Sequence, residues 1–254
     1  MDLFLDAKIG MAYTSNSQRI RVMSETWVAE NMFCPCCGNL HITKLANNSP
    51  VADIQCFECG EIFELKTKKG KTGHKITDGA YVIMLERITS DTNPDLFVMN
   101  YDSSYYITDF TLIPKFFFVP KFIEKRKPLS STARRAGWTG CNIIYSDIPK
   151  QGKIEIIQEG HVASVDEVVK QYNKVKQLQK DSLTSRGWLL DVLNCVNNIN
   201  TMEFTLLDMY QYIDFLQRRH PTNNNVEAKI RQQLQFLRNQ GFIEFIGRGR
   251  YKKI

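Results

Sequence analysis

Asp53, Glu64 and Lys66 are the residues whose types and spacing best suit hydrolytic chemistry in this 254-residue chain. They fall on two stretches with the pattern of neighbouring β-strands, Pro50 to Gln55 and Glu61 to Lys66. In the second stretch Phe63 and Leu65 alternate with Glu64 and Lys66. A strand sends residues two apart to one face, so the carboxylate and the amine project together while the apolar pair packs behind them. With Asp53 on the adjacent strand, three charged groups converge. Two carboxylates there suit a divalent ion, and the ammonium steadies or deprotonates an attacking water, which is chemistry for cutting phosphodiesters. Taken without their neighbours, the same residues are solvated charges on a hairpin.

The elements that must position them are marked by cysteines. Cys56-Phe57-Glu58-Cys59-Gly60 lies between Asp53 and Glu64, and Cys34-Pro35-Cys36-Cys37-Gly38 lies upstream. Both are C-x-x-C-G knuckles, in which glycine permits the tight turn that aims amides at sulfur. The 18 residues between Cys37 and Cys56 fit a four-cysteine zinc ribbon. Cys34, Cys37, Cys56 and Cys59 would hold Zn2+ tetrahedrally with no open position, so that metal is structural. Disulfides are the rival, disfavoured by the reducing compartment expected for the chain. Binding the ion at the hairpin tip fixes the register of both strands, and a slip of one residue would turn Glu64 and Lys66 to the wrong face. Cys36 is spare in its knuckle, and Cys141 and Cys195 read as buried small hydrophobes.

The acids in Met1-Asp2-Leu3-Phe4-Leu5-Asp6 do not suit a secretory signal, and no apolar run approaches the ~20 residues of a membrane span. A cytoplasmic, bacterial setting without a membrane partner is expected. The net charge of +6 points toward a polyanion. From Thr184 onward ten Lys or Arg face six Asp or Glu, a local excess of +4. Nucleic acid is the natural partner of such a surface.

Along the chain, Ser17 to Asn31 reads as a helix with a serine cap and with Ile20, Met23 and Trp27 inward. Ala80 to Ile88 fits either a helix or a buried strand. A helix is favoured, with Thr77 or Asp78 as its cap. Leu96 to Tyr101 and Tyr105 to Leu112 read as strands, and Lys115 to Lys121 as a further apolar strand closed by prolines. Lys121 to Gly140 is loop-like and carries Arg134 and Arg135 beside Trp138. Flexible cations with a glycine-flanked tryptophan suit backbone contacts plus an apolar probe at a base edge. A solvated loop with one anchoring ring fits equally well. Ser164 and Glu167 form a capping box for a helix with Val168, Tyr172, Val175 and Leu178 on one face.

From about Leu183 the pattern changes. Helices are expected over Ser185 to Asn197, Thr205 to Arg218 and Val226 to Gln240, the last capped by Asn223-Asn224-Asn225. A hairpin follows, turning about Gly247-Arg248-Gly249-Arg250. Three helices and a basic-tipped hairpin make a winged helix. The third helix offers Asn225, Lys229, Arg231, Gln232 and Gln235 outward, and the wing offers Arg248 and Arg250. Asn and Gln can pair with adenine, and Arg with guanine or phosphate. Winged helices also bind proteins, so the fold alone does not decide the partner. The expected fold class is α+β, with a mixed-sheet nuclease domain and embedded four-cysteine zinc ribbon over residues 1–182 and a winged helix over 183–254.

The Pro50, Asp53, Glu64-Leu65-Lys66 constellation resembles the PD-(D/E)xK nuclease superfamily. With the cysteines in its spacer and the C-terminal winged helix, the whole chain resembles that superfamily's methyl-directed type II restriction endonucleases. Pro50 stands three residues before Asp53 rather than beside it, a looser form of the motif. The resemblance implies cleavage of duplex DNA at GATC carrying N6-methyladenine. It implies Mg2+ held by Asp53, Glu64 and the Leu65 carbonyl, Lys66 as the catalytic lysine, and no obligate protein partner. Gln55 shares the face of Asp53 and is a lesser candidate for touching the water or the phosphate. The competing readings are a regulator with zinc ribbon and winged helix that binds DNA without cutting it, and a module that docks onto another protein.

Overall fold

The computed structural model describes residues 1–46, 52–90, 92–180 and 182–254. Pro50, and with it the start of the first expected strand, lies outside the described residues. Helix α1 (Asn16–Asn31) is followed by β1 (Thr43–Lys44), β2 (Ile54–Gln55), β3 (Ile62–Lys69), β4 (Lys75–Ala80) and α2 (Tyr81–Ile88). Then come β5 (Asp95–Tyr101), β6 (Ile107–Ile113), β7 (Ile123–Lys125), β8 (Gly140–Ile144), β9 (Ile154–Gln158), β10 (His161–Val162) and α3 (Val165–Lys176). The C-terminal part holds α4 (Leu183–Asn198), β11 (Glu203–Thr205), α5 (Leu206–Tyr210), α6 (Ile213–Arg219), α7 (Val226–Asn239), β12 (Ile243–Gly247) and β13 (Arg250–Lys253).

Among the described residues the strands form a seven-stranded sheet in the order β1-β2-β3-β5-β6-β9-β10, and two three-stranded sheets, β4-β8-β7 and β11-β13-β12. Among the described residues, β3 and β5 are the one parallel pair of the large sheet. Every residue of β5 is buried, as expected of a central strand covered on both faces. The core runs through stacked Phe63, Phe97 and Phe110, with centroids 4.7 and 4.9 Å apart, and Trp27 of α1 meets Phe110 edge-on at 5.8 Å. Phe63 therefore points inward beneath the helix, and the alternating face of β3 carries Glu64 and Lys66. The α+β class with a large mixed sheet is as expected.

Four local expectations are corrected. Lys115 to Lys121 is not a strand but two single 3-10 turns, Lys115–Phe117 and Pro120–Phe122. Pro114 and Pro120 supply no N–H for a ladder, and Phe116, Phe117 and Phe118 are buried as an aromatic plug instead. Thr77 and Asp78 do not cap α2; they sit within β4, and Ala80 takes the cap position without a side-chain bond. Thr205 to Arg218 is broken into α5 and α6 around Gln211 and Tyr212, with Thr205 and Asp208 forming a capping box that starts the first piece. Asn225 likewise stands at the cap position of α7 without a side-chain cap bond.

Asp95, fully buried at the start of β5, accepts hydrogen bonds from the Lys115 amide at 2.7 Å and the Tyr172 hydroxyl at 3.0 Å. Burial, then the Glu61 charge, pushes its carboxyl up to about 7. An acid raised in the folded state stabilises the fold at low pH and loses that contribution as pH rises through its folded value. Stability should therefore decline between about pH 4 and pH 7. Melting curves of Asp95→Asn should lose part of that slope, and an unaltered slope would contradict this account.

The winged-helix part is held to the rest by a buried charge cluster. Asp191 of α4 is 1% exposed and meets Lys121, Arg219 Nε at 3.0 Å and His220 Nε2 at 2.7 Å. Trp188 stacks on the His220 ring with centroids 3.8 Å apart, and Asn194 donates to the Asp147 carbonyl at 2.7 Å. Burial alone would raise the Asp191 carboxyl. The His220 hydrogen bond and the Lys121 and Arg219 charges outweigh it and hold the group below its usual range. Asp191→Ala takes the carboxylate from the part-buried Lys121 ammonium and from His220, while Arg219 keeps Asp147 at 3.5 Å, so a loss of about 3 kcal/mol, the low end for a broken buried pair, is expected. Denaturant midpoints measure it, and an unmoved midpoint would show that the cluster contributes nothing.

Candidate active site and zinc centre

The zinc hairpin is built from two matching knuckles. In each, a glycine amide closes onto the first cysteine's carbonyl: Gly38 to Cys34 and Gly60 to Cys56, both at 2.8 Å. Gly38 and Gly60 stand at φ +81° and +77°, a region L side chains rarely adopt, so the turns need glycine. The Cys34 and Cys59 sulfurs are 3.6 Å apart, those of Cys37 and Cys56 3.7 Å, and all four lie within 4.8 Å of one another. A tetrahedron with metal–sulfur bonds of ~2.3 Å has edges of about 3.8 Å, so the four fit Zn2+. A hydrogen bond from the Cys36 thiol, with amides of the knuckle, holds the Cys34 thiol down to about 5, favouring the thiolate that zinc requires. Cys36 itself lies 3.6 Å from Asp95, and Cys141 and Cys195 are buried.

The knuckle Cys56–Cys59 is the tip of the hairpin formed by β2 and β3, which pair Ile54 with Phe63 and Gln55 with Ile62. Just outside that pairing the Asp53 amide donates to the Phe63 carbonyl at 3.0 Å, and Asp53 Oδ2 accepts from the Leu65 amide at 2.9 Å. The second oxygen, Oδ1, lies 3.5 Å from Arg21 of α1. On β3 the Lys66 ammonium lies 2.6 Å from Glu64 Oε1, and Glu64 Oε2 lies 3.9 Å from Arg87. Gln55 is half-buried on β2.

Electrostatics tie these groups into one site. Burial pushes the Glu64 carboxyl up; Lys66 opposes that shift, and the negative charges of Asp78 and Asp53 add to it. The Asp53 charge acting on Glu64 couples the two acids electrostatically. For Lys66 burial favours the neutral amine, but the charges of Glu64 and Asp78 outweigh it and raise the group above its usual range, so it is an ammonium. A cleft of about 420 Å3 opens between α1 and β3, lined by Asn16, Ser17, Arg21, Glu25, Lys66 and Thr67. The acids around Lys66 do not close into a cluster as tight as the cysteines, because the ammonium lies between two of them. Asp53 and Glu64 do not line that cleft but adjoin it through Arg21 and Lys66; with the neighbouring backbone carbonyl they are hard oxygen donors, a set that fits Mg2+ rather than zinc.

Sequence reasoning missed Asp78, Arg21, Glu25 and Arg87. Asp78 Oδ1 lies 2.6 Å from Lys66. Glu25 is buried and pairs with Arg21 at 2.5 Å and Lys44 at 2.8 Å. The four-residue spacing of Arg21 and Glu25 on α1 was the one available signal.

The expected DNA-contact residues separate into two groups. Trp138 sits at the base of a loop that extends the hairpin of β7 and β8, closed by Leu129 N to Trp138 O at 2.9 Å and Arg126 N to Gly140 O at 3.0 Å. The loop is tied to α2 by Tyr81 N to Thr139 O at 3.1 Å. Its half-buried ring covers Gly140, where an added Cβ would lie 2.9 Å from the indole, and Arg135 rests 4.9 Å over it. Arg134 is exposed. Three residues beyond Trp138, Cys141 pairs with Asp78, so the loop joins the same small sheet that borders Lys66. In the second group, Asn225, Gln232 and Arg248 are exposed and Lys229 is half-buried. Arg231 bonds to the Tyr210 hydroxyl, Gln235 to Asn239 at 3.3 Å and Arg250 to Glu203 at 3.2 Å. The two groups lie in separate parts of the fold.

A mixed-sheet domain with acids and a lysine at a cleft, joined to a helix-turn-helix unit, is the build of a DNA-acting restriction enzyme. Residues 1–181 match the family described as DpnI, Dam-replacing, and residues 184–253 match the Dam-replacing HTH domain of the same name. The chain belongs to the DpnI, Dam-replacing family of restriction enzymes. No helix among the described residues is long and apolar enough to cross a membrane.

Proposed function

We propose that this protein is a methyl-directed type II endonuclease that cuts duplex DNA at GATC carrying N6-methyladenine, with Mg2+ as cofactor. The carrying observation is the Lys66 ammonium beside Glu64 on β3, the strand whose Leu65 amide also fixes Asp53. We assign catalysis to residues 1–182 and a second DNA-reading surface to the winged helix, residues 183–254.

Asp53, Glu64 and the Leu65 carbonyl would hold Mg2+, which supplies charge stabilisation at the scissile phosphate and the departing 3′ oxygen. Lys66, kept as an ammonium, donates to the attacking water and orients it in line with that bond. Arg21, at the mouth of the cleft and 46% exposed, is anchored through Nε by Glu25 and presents its other nitrogens toward Asp53 and an incoming DNA phosphate. Gln55 is a neighbour rather than a participant. Asn225, Lys229, Arg231, Gln232 and Gln235 on α7, with Arg248 and Arg250 on the wing, form the second reading surface. Arg134 and Arg135 grip the backbone beside Trp138. Zn2+ bound by the four cysteines sets the register of the hairpin.

Incubating the protein with methylated and unmethylated plasmid, with and without Mg2+, tests the reading. Fragments are expected only from methylated DNA and only with the ion. Cutting of both plasmids would remove methyl direction, and cutting of neither would remove the enzyme. Trp138 is the residue assigned to the methyl group. A buried methyl contributes about 0.8 kcal/mol, so Trp138→Ala should lower the preference for methylated DNA about fourfold for each methyl the ring covers. Competition assays with paired oligonucleotides measure it, and a full preference in the variant would remove Trp138 from that role.

A further inference from the structure

Asp78 is the buried acid at the site that the proposed reaction leaves unused. Its side chain is 5% exposed, on β4 of the small sheet, and its Oδ1 accepts from the Gly79 amide at 2.6 Å. The same oxygen lies 2.6 Å from Lys66, and Glu64 Oε1 lies 2.6 Å from that ammonium on its other side. Lys66 thus bridges acids from two different sheets. The two anchors differ in what else is asked of them. Glu64 belongs to the pair that would hold the divalent ion, whereas Asp78 is fixed by its own backbone and by the pairing of β4 with β8.

Three carboxylates, Asp53, Glu64 and Asp78, already meet three cations, Arg21, Arg87 and Lys66, so a divalent ion at Asp53 and Glu64 must displace side-chain cations from their oxygens. A cation engaging Glu64 competes with Lys66 for the same oxygens. The lysine stem is flexible, with about 2 kcal/mol of rotamer freedom, so an ammonium that lost its sole partner would leave its position. With a second anchor it stays where the water must be held.

We propose that Asp78 is the positioning residue of this site, retaining the Lys66 ammonium when Glu64 turns to the divalent cation. The proposal rests on the nuclease reading above. It separates two tasks: Glu64 serves the ion, and Asp78 serves the lysine.

The test is a double-mutant cycle in the full-length protein, combining Asp78→Asn with Lys66→Met. Asparagine has the shape of aspartate and keeps an acceptor for the Gly79 amide. In single-turnover assays on methylated duplex, Asp78→Asn should slow cutting by about 10²-fold, the scale expected when a reacting group is misplaced by about 1 Å. DNA affinity should stay within about threefold of the parent. In the Lys66→Met background, adding Asp78→Asn should change the residual rate by less than about threefold, because the residue acts through the lysine. A second readout needs no turnover: calorimetric titration of Ca2+ into the protein without DNA. Asp78→Asn should weaken Ca2+ binding, since the ammonium then falls back on Glu64, and Lys66→Met should erase that difference.

Additive losses in either cycle, or an Asp78→Asn rate within about threefold of the parent, would overturn the proposal. If asparagine at 78 lowers the melting point into the assay range, Asp78→Glu carries the same cycle with the same criterion. A parent protein that neither cuts DNA nor binds Ca2+ would instead sink the nuclease reading. The two failures are thus distinguishable.

Discussion

Replacing Asp53 by alanine should lower the rate of DNA cutting by at least about 10³-fold while leaving specific binding within about threefold of the parent. The expectation follows from where its two oxygens point. Oδ2 is held by the Leu65 amide at 2.9 Å, which presets the carboxylate, and Oδ1 faces Arg21 at 3.5 Å on the cleft side. Alanine removes an oxygen donor for the ion and with it the charge stabilisation worth several kcal/mol in such reactions. It also leaves the Leu65 amide without its acceptor, at a cost to stability of about 1–3 kcal/mol. Asp53→Asn separates the two effects, because it keeps an acceptor for the amide while removing the charge. Both variants should be inactive, and only alanine should melt early. Filter binding and single-turnover cutting on methylated duplex provide the readout. Loss of specific binding along with cutting would show that Asp53 shapes the DNA surface rather than the chemistry.

Removing zinc should have an effect of comparable size through a different route. Cys37 and Cys59 are exposed while Cys34 and Cys56 are buried, so a chelator can reach the ion from one side. Structural zinc binding is worth about 10–16 kcal/mol in small zinc domains at neutral pH, comparable to the whole stability of a typical domain. The hairpin it clips is short: β2 has two residues, and both pair with β3. Without the ion nothing local forbids a one-residue slip, which would turn Glu64 and Lys66 from the cleft into the core. Chelation, or Cys56→Ser, should abolish cutting and lower the melting temperature by about 10 °C or more. Metal content by emission spectroscopy, melting curves and cleavage assays together decide the matter. A zinc-free protein that cuts at the parent rate would show the cysteines to be dispensable for the site.

The parts of the site legible in the sequence are those fixed by short-range rules. Phe63 and Leu65 alternating with Glu64 and Lys66 is a strand signal readable over a few residues. The two C-x-x-C-G knuckles carry their own turn chemistry, and Ser164 with Glu167 forms the capping box seen at α3. Asp78 was illegible for the opposite reason. Thr77-Asp78 before an apolar run looks like a helix cap, and nothing nearby announces that residues 75–80 pair with residues 140–144. Its place beside Lys66 exists only once that long-range ladder forms. Lys115 to Lys121 misled through its apolar character. Phe116 to Phe118 owe their burial to the surrounding fold, whereas Pro114 and Pro120 decide the local backbone. The break at Gln211 and Tyr212 has neither glycine nor proline to signal it. Arg21 and Glu25 were visible as a helical pair, but that Arg21 turns toward Asp53 depends on how α1 packs through Met23 and Trp27.

The most direct measurement is anomalous diffraction from crystals soaked in Mn2+, collected at the manganese edge and at the zinc edge. A manganese peak between the Asp53 and Glu64 carboxylates is predicted, separate from a zinc peak centred on Cys34, Cys37, Cys56 and Cys59. Zinc at the cysteines with no manganese at the two acids, in a soak that places the ion elsewhere on the protein, would contradict a divalent-ion nuclease site on this hairpin.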